Sequence, residues 1–452
     1  MIQSAGDPAQ SGSYPSTLAV RGEILHFTGD PLTDGADATH HHEDGLLVIR
    51  NGRVVAAGDA SKLLSGLDPQ TRIVDHRGKF IMPGFVDTHV HYSQTDIIAS
   101  YGQQLLDWLD RFTFPAERKF EDPAHAAEVS EYFLDELLKN GTTTAAVFTT
   151  VHPVATDAFF AAAERRNLRM AAGKVLMDRN CPDFLRDTAE SGYEQSAELV
   201  RRWHGRGRLS YAVTPRFAPT STERQLELAG RLLDEHPGVL LQSHVAENAG
   251  EVEWVAELFP WARSYLDVYD RYGMLRKGAV FAHCIHLDDA DRRRMAETGA
   301  AISFCATSNL FLGSGLFDLH QAREQGVTVG IGTDVGGGTA FSLLRTLNES
   351  YKVTQLRGHS LPPLQGFYLV TLGGARAMGL DAHIGSFEPG KEADFVVLDP
   401  SSSPLRARRN RLASGFEERL FLLMMLGDDR AVHSTYVMGE CAYESPRATY
   451  SL

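Results

Sequence analysis

The sequence predicts an α/β fold, with a (β/α)8 TIM-like barrel and a small β-sandwich domain built from the N- and C-terminal segments. The chain has 452 residues, which is longer than a typical single domain and is enough for a second, smaller domain. Between residues 85 and 379, short apolar runs alternate with longer charged stretches of helical periodicity, which is typical of parallel βαβ units. Both ends of the chain contain strand-like segments instead, and these need each other as sheet partners.

The N-terminal part of the β-sandwich is predicted within residues 1–84. Strand-like segments cover residues 18–27, 45–58 and 72–78, and Gly and Asn-Gly turn signals separate them. Residues 1–16 lack the basic start and apolar run of a signal peptide, so we expect a frayed leader there.

The barrel is predicted within residues 85–379. Its eight strands are expected at residues 85–91, 142–150, 169–177, 209–215, 239–247, 279–287, 300–308 and 328–336. Helices are expected at residues 124–140, 155–167, 195–206, 222–236 and 288–298. The C-terminal part of the β-sandwich then takes residues 380–452, with strand-like segments at 392–398 and 432–441.

Composition and charge exclude several classes of function. Hydrophobic residues make up 43% of the chain and charged residues 23%, as in globular proteins. The net charge of −14 repels phosphate backbones and anionic lipids, so we expect no nucleic-acid and no membrane partner. Four scattered cysteines form no C-x-x-C pair and no disulfide framework, which favours a reducing, cytoplasmic location.

Polar residues that end the predicted barrel strands indicate a metal site. The carboxyl ends of barrel strands line one mouth of the barrel. The first strand ends with His89 and His91, and residues two apart in a strand project to the same side. The fifth, sixth and eighth strands end with His244, His283 and Asp334. Imidazoles together with a carboxylate suit Zn²⁺ or Fe²⁺ and leave a position for water.

Several of these motifs resemble those of the amidohydrolase superfamily, and most of all its guanine-deaminating members. The resemblance extends over about residues 18–445 and is carried by residues 83–91 (PGFVDTHVH), 243–247 (SHVAE), 332–334 (GTD) and 385–394 (GSFEPGKEAD). It implies hydrolysis of guanine to xanthine and ammonia in purine catabolism, with a homodimer as the assembly. It also implies one Zn²⁺ per chain, with Fe²⁺ possible, held by His89, His91, His244 and Asp334.

The resemblance also implies how protons move in this site. Glu247 follows His244 by three residues at the mouth of the fifth strand and would carry a proton to a ring nitrogen of the substrate. Asp334 would accept the proton of the attacking water, whose pKa a metal lowers from 15.7 toward about 7. His283 would orient that water or ligate the metal, and the residues leave both roles open. Lys174 lies on the third predicted strand and the fourth offers no lysine, which favours one metal over two.

The substrate contacts are predicted from residues near the same mouth of the barrel. Arg216 and Phe217 follow the fourth strand. The Arg216 guanidinium offers several hydrogen-bond donors, and the Phe217 ring offers an aromatic face beside them. Gln94 can both donate and accept hydrogen bonds, as a purine edge requires. Trp108 and Leu109, together with residues 114–117 (FPAE), resemble the segment that covers the base in guanine-deaminating enzymes. These five residues are therefore the expected recognition set for a small purine.

Two rival functions remain open on the sequence alone. A related deaminase could act on a pterin, 8-oxoguanine, a triazine or an adenosine-type substrate, and only the pocket separates these from guanine. A non-catalytic barrel that serves as an interaction protein is the rival of another class. Such a chain should have lost metal ligands, whereas this sequence keeps all of them.

Overall fold

A computed structural model of the protein describes residues 17–101 and 104–446. The predicted leader and the last six residues of the chain lie outside the described part. The strands are β1 (Leu18–Phe27), β2 (Thr39–Arg50), β3 (Arg53–Asp59), β4 (Arg72–Pro83), β5 (Phe85–His91), β6 (Thr142–Phe148), β7 (Arg169–Gly173), β8 (Val175–Leu176), β9 (Ser210–Pro215), β10 (Leu240–Val245), β11 (Ala279–His283), β12 (Ala301–Phe304), β13 (Thr328–Ile331), β14 (Phe395–Leu398), β15 (Val432–Val437) and β16 (Glu440–Glu444).

The α-helices lie mostly between the barrel strands and after the barrel. They are α1 (Ala60–Leu63), α2 (Leu105–Trp108), α3 (Phe114–Arg118), α4 (Pro123–Lys139), α5 (Pro153–Arg165), α6 (Ala189–Trp203), α7 (Glu223–Glu235), α8 (Ala249–Leu258), α9 (Tyr265–Arg271), α10 (Asp289–Thr298), α11 (Ala306–Phe311), α12 (Leu319–Glu324), α13 (Leu343–Leu356), α14 (Pro363–Leu369), α15 (Leu372–Ala377), α16 (Pro404–Arg411) and α17 (Phe416–Leu426). Among the described residues, none of these helices is both long and apolar enough to cross a membrane.

The predicted barrel is confirmed. Eight strands run parallel in the order β13-β12-β11-β10-β9-β7-β6-β5, and the short β8 extends the pairing with β9. The barrel closes where the end of β5 meets the segment after β13, because the Asp334 amide donates to the His89 carbonyl (2.9 Å) and the His91 amide donates to the Val335 carbonyl (2.9 Å). This closure brings the first and last predicted metal-binding segments together.

The second unit, formed from both ends of the chain, is also confirmed. A seven-stranded sheet has the order β16-β15-β14-β4-β1-β2-β3, so the C-terminal strand β14 pairs with the N-terminal strand β4. Only Gly84 separates β4 from β5, and a Cβ at this position would lie 2.1 Å from the Thr143 hydroxyl oxygen. A glycine is therefore required where the sheet passes into the barrel. The division of the chain at residues 84 and 379 remains a prediction.

The sequence places the helices less accurately than the strands. Helix α6 begins at Ala189 rather than at residue 195. Its start is fixed by Thr188, whose hydroxyl accepts from the Ser191 amide, while the Ser191 hydroxyl accepts from the Thr188 amide. This reciprocal cap uses serine at a position where glutamate or glutamine is usual. The glycine that follows at position 192 further weakens the helical signal.

Buried ion pairs join the barrel to the terminal sheet. The carboxylate of Glu392 accepts from Arg169 (Nε, 2.6 Å) and from Arg208 (Nη2, 2.7 Å), and Arg208 also bonds Asp394. The two arginines stand at the amino ends of β7 and β9, whereas the two acids precede β14. Burial by itself would raise the pKa of Glu392, but the bonds from the arginines hold that pKa below its usual value.

We expect Glu392→Gln to destabilise the protein by about 3–5 kcal/mol, because it leaves buried arginine charge without its partner. Denaturant unfolding measures the effect. The pKa of Glu392 is lowered in the folded state, so its contribution is present above the ordinary value of 4.5 and is lost as the pH falls below it. The exposed Glu227, which also pairs with an arginine, is the matched control, and Glu227→Gln should cost less than about 1 kcal/mol. Equal losses in the two variants would contradict this account of the junction.

Candidate active site

Four predicted ligands converge at the carboxyl end of the barrel. His89 and His91 lie on β5, His244 lies on β10, and Asp334 follows β13. The Nε2 atom of His91 is 3.2 Å from Nε2 of His89 and 3.2 Å from Nε2 of His244. Oδ1 of Asp334 is 3.2 Å from Nε2 of His89 and 3.3 Å from Nε2 of His91. All four side chains therefore aim one ligand atom at a common point.

This arrangement fits a metal ion. Two ligand atoms that lie about 2.0–2.1 Å from one ion at a tetrahedral angle are about 3.3 Å apart, which matches the four distances given above. The ligand atoms all lie within 4.8 Å of one another. Nδ1 of His91 is buried and has no hydrogen-bond partner among the described residues. Imidazole nitrogens packed this closely are stabilised when a cation lies between them.

The protonation states of the cluster also suit a metal. Burial lowers the pKa of His91 to about 3 and lowers the pKa of His244 well below its usual value. Burial would raise the pKa of Asp334, but His89, His91 and His283 hold it well below the usual range. Near neutral pH, His91 and His244 are therefore neutral and Asp334 is ionised, and these are the forms that ligate a metal.

Neighbouring groups fix the orientation of the ligands. The Nδ1–H of His244 donates to the Arg216 carbonyl (2.6 Å), which leaves Nε2 free for the metal. Asp87 accepts from the His89 amide (3.2 Å) and the Thr333 amide (3.0 Å), so it ties β5 to the segment that carries Asp334. Asp334 itself has φ of 50°, in the left-handed region that few residues other than glycine, asparagine and aspartate adopt.

Two further side chains are placed for proton transfer beside this cluster. Oε2 of Glu247 lies 3.4 Å from Nε2 of His283, and Nε2 of His283 lies 3.8 Å from Oδ2 of Asp334. The Nδ1–H of His283 donates to Oδ1 of Asn309 (2.8 Å), and the Ser314 hydroxyl donates to Oε1 of Glu247 (2.8 Å). Burial and the nearby Asp334 charge raise the pKa of Glu247 to about 8. This carboxyl group can therefore hold or give up a proton near neutral pH.

We expect Ser314→Ala to lower kcat by up to roughly tenfold without loss of metal, because the hydroxyl holds Glu247 through one hydrogen bond worth about 0.5–1.5 kcal/mol. Steady-state turnover and metal analysis measure the two quantities. Ser401 is the control, because its side chain lies in the half-buried loop after β14 and Ser401→Ala should leave turnover unchanged. A normal kcat in Ser314→Ala would show that Glu247 does not depend on this bond.

All five predicted recognition residues line one pocket next to the ligand cluster. The space between the lining residues is about 430 Å³. It is bordered by Gln94, Leu105, Trp108, Leu109, Arg216, Phe217 and Leu312 and, toward the cluster, by His91, His244, Glu247, Glu251, His283, Asp334 and Gly337. Apolar and aromatic walls that end in polar groups suit a flat heterocycle.

Four residues that support the site are not among the predicted site residues: Glu117, Glu251, Asn309 and Ser314. Of these, Glu117 falls in residues 114–117, which the resemblance associates with the segment that covers the base. Glu117 is fully buried, and both of its carboxylate oxygens accept from Nη1 of Arg216 at 2.9 Å. Glu251 accepts from the backbone amide of Glu247 (3.0 Å) and so holds the start of the segment after β10. Most of these residues contact predicted site residues that are far away in the sequence. No local sequence motif therefore indicates the contacts.

Lys174 is placed as the sequence predicts, at the end of the third barrel strand. Its side chain is fully buried, and its Nζ donates to the Val175 carbonyl (3.3 Å) and pairs with Asp187. The ion pair with Asp187 balances the buried charge of Lys174, so no metal is needed to explain a lysine at this position.

Residues 80–441 match the sequence model of the amidohydrolase family. The chain belongs to the amidohydrolase family. It is 51% identical over 428 residues to the guanine deaminase of Escherichia coli (strain K12), and the match covers 94% of this chain and 98% of that protein.

Two solved structures extend the comparison to the fold. The structure of E. coli guanine deaminase superposes with a TM-score of 0.92 at 49% identity, covering 96% of this chain and 100% of the other. The structure of guanine deaminase from C. acetobutylicum with guanine bound in the active site gives a TM-score of 0.85 at 26% identity, covering 94% of this chain and 100% of the other.

Proposed function

We propose that this protein is a guanine deaminase, a metal-dependent hydrolase that converts guanine and water to xanthine and ammonia in purine catabolism. One observation carries the proposal: the pocket lined by Gln94, Trp108, Leu109, Arg216 and Phe217 opens directly onto the His and Asp cluster. The similarity to guanine deaminases supports the same choice of substrate.

His89, His91, His244 and Asp334 would hold the metal, which we propose is one Zn²⁺ per chain, with Fe²⁺ as the alternative. When bound, such an ion lowers the pKa of a water molecule toward about 7 and so provides a nucleophile at neutral pH. The ionised Asp334 is then the group that accepts the proton of the attacking water. His283, fixed by Asn309, orients that water through Nε2.

Glu247 would carry protons to and from the ring. Its carboxyl group donates a proton to the ring nitrogen next to C2, which makes that carbon more electrophilic. Water then adds to C2 as its proton passes to Asp334, which passes it on to the exocyclic nitrogen. The new C2 hydroxyl returns a proton to Glu247 as the C2–N bond breaks, so that C2 becomes a carbonyl carbon and ammonia leaves. The Ser314 hydroxyl keeps Glu247 aimed at the pocket between these transfers.

The ring would be held between aromatic walls and polar ends. Trp108, Leu109 and Phe217 supply apolar and aromatic surface to the lining of the pocket. Arg216 presents its Nε and Nη2 donors, because among the described residues only its Nη1 atom is bonded. Gln94 uses its Oε1 atom to accept from the Gly336 amide (3.2 Å), so its amide NH₂ points elsewhere. Donors of this kind suit the carbonyl of guanine.

We further propose that the protein works in the cytoplasm as a homodimer, without a nucleic-acid or membrane partner. The four cysteines are free thiols, and three of them are buried, as suits a reducing compartment. Light scattering on the purified protein tests the assembly: a mass of twice 49.7 kDa is expected, and a single-chain mass would reject the dimer.

The test of the function is ammonia release from guanine, 8-oxoguanine, adenine, adenosine, cytosine and a pterin, on protein of measured metal content. We expect rapid release from guanine and about one metal ion per chain. Rapid release from another ring and none from guanine would reject the proposed substrate. The absence of release from every ring with metal bound would reject deamination of this whole panel.

A further inference from the structure

The recognition end of the pocket contains a buried charge pair. Arg216 is 3% exposed and Glu117 is fully buried, and the two are joined through Nη1 at 2.9 Å from each carboxylate oxygen. Arg216 borders the pocket, whereas Glu117 lies behind it and does not. Glu117 can therefore influence a bound ring only through the residues in front of it.

Two of those residues lie next to Glu117. Besides Arg216, the side chain of Gln94 acts to lower the pKa of the Glu117 carboxyl, which burial raises. Gln94 and Arg216 come from different parts of the barrel mouth, after β5 and after β9. The guanidinium of Arg216 also lies 5.4 Å from the centre of the Phe114 ring, which provides an apolar support on the side of α3. The carboxylate thus holds the guanidinium of Arg216 in place and balances the one positive charge among the predicted recognition residues.

From this arrangement we infer that Glu117 sets the charge preference of the pocket, so that it takes neutral rings and rejects anionic ones. The inference rests on the proposed function. Guanine is neutral at neutral pH, whereas xanthine is more acidic because a carbonyl replaces the amine and leaves imide-like N–H groups. An unpaired arginine in this dry site would bind the anion of the product strongly. The paired arginine donates hydrogen bonds without net charge and so favours product release.

The test compares binding of urate, which is an anion at neutral pH, with binding of hypoxanthine, which is neutral. Inhibition constants for both rings are measured on the metal-loaded wild type and on Glu117→Gln, which keeps an acceptor for Arg216 but removes the charge. The ratio of the two constants should shift about tenfold toward urate in the variant, since a charge-assisted bond is roughly twice as strong as a neutral one. Inhibition by xanthine should strengthen in the same direction.

Three further variants separate charge from geometry. Glu117→Asp keeps the charge and should keep the wild-type ratio, and Glu128→Gln removes an equal charge from the exposed face of α4 and should also keep it. Arg216→Gln leaves the carboxylate alone and should shift the ratio against urate, which provides a test even if Glu117→Gln does not fold.

The outcomes distinguish this inference from the proposed function. An unchanged ratio in Glu117→Gln, or an equal shift in Glu117→Asp, would overturn the inference while guanine deamination by the wild type stands. If Glu117→Gln does not fold, an unchanged ratio in Arg216→Gln overturns it. If the wild type releases no ammonia from guanine, the proposed function fails, whatever the ratio. If neither ring binds the wild type, the purine pocket and the inference fail together.

Discussion

Replacement of His89 by alanine should remove both the bound metal and the enzymatic activity. His89 contributes one of the converging nitrogen atoms and lies 3.2 Å from both His91 Nε2 and Asp334 Oδ1. Without it, one of the four converging ligand atoms is lost and a gap of imidazole size takes its place, so the remaining two imidazoles and one carboxylate bind the metal much more weakly. We expect a loss of roughly 10³-fold or more in kcat/KM, because a metal contributes several kcal/mol to the transition state and each factor of ten is about 1.4 kcal/mol.

Metal content per chain and ammonia release are measured on the same preparation. His320→Ala is the matched control, because His320 is half-exposed on α12 and pairs only with Glu324 and the His359 ring among the described residues. The control should keep both metal and activity. A His89→Ala protein that retains one metal per chain at full activity would reject the assigned ligand set.

The barrel and its metal cluster are predictable from the sequence for a physical reason. Strands of a parallel barrel are buried on both faces, so they appear as continuous apolar runs, and the polar residues that end them stand out. All eight strands lie within the predicted ranges, and β5 and β11 both end at a histidine of the site. The pairing of the two chain ends is predictable because neither end could form a stable sheet alone.

The residues that hold the site in place are not predictable in the same way. Glu117 and Arg216 are 99 positions apart, and Glu247 and Ser314 are 67 positions apart. Glu117 stands in residues 114–117, which resemble the segment that covers the base in guanine-deaminating enzymes, but this resemblance does not indicate that its side chain is buried against Arg216. Its burial depends on the packing of α3 against the barrel mouth, which is a property of tertiary structure. His283 and Asp334 have positive φ values of 70° and 50°, and only the closed barrel imposes these.

Replacement of Glu247 by glutamine should leave the metal bound and nearly abolish turnover. Glu247 is not one of the four converging ligands, so its loss leaves that cluster complete. Glutamine can still accept the hydrogen bond from Ser314, so the local structure is preserved, but it cannot carry a proton. General acid–base catalysis by a positioned side chain contributes about 10²–10⁴-fold, and we expect kcat to fall by that factor with little change in KM.

Metal analysis, kcat and KM for guanine are measured together on this variant. Glu253→Gln makes the same chemical change on the exposed face of α8 and should behave as the wild type. Addition of small amines or carboxylic acids should not restore Glu247→Gln, because the glutamine still fills the space that such a molecule would need. A rate within about threefold of wild type would remove Glu247 from the mechanism and leave Asp334 and His283 as the only proton carriers. Loss of metal from the variant would instead make Glu247 a metal ligand. The expected combination, full metal content with a large loss of kcat, arises only if the buried carboxyl group moves protons between the water and the ring.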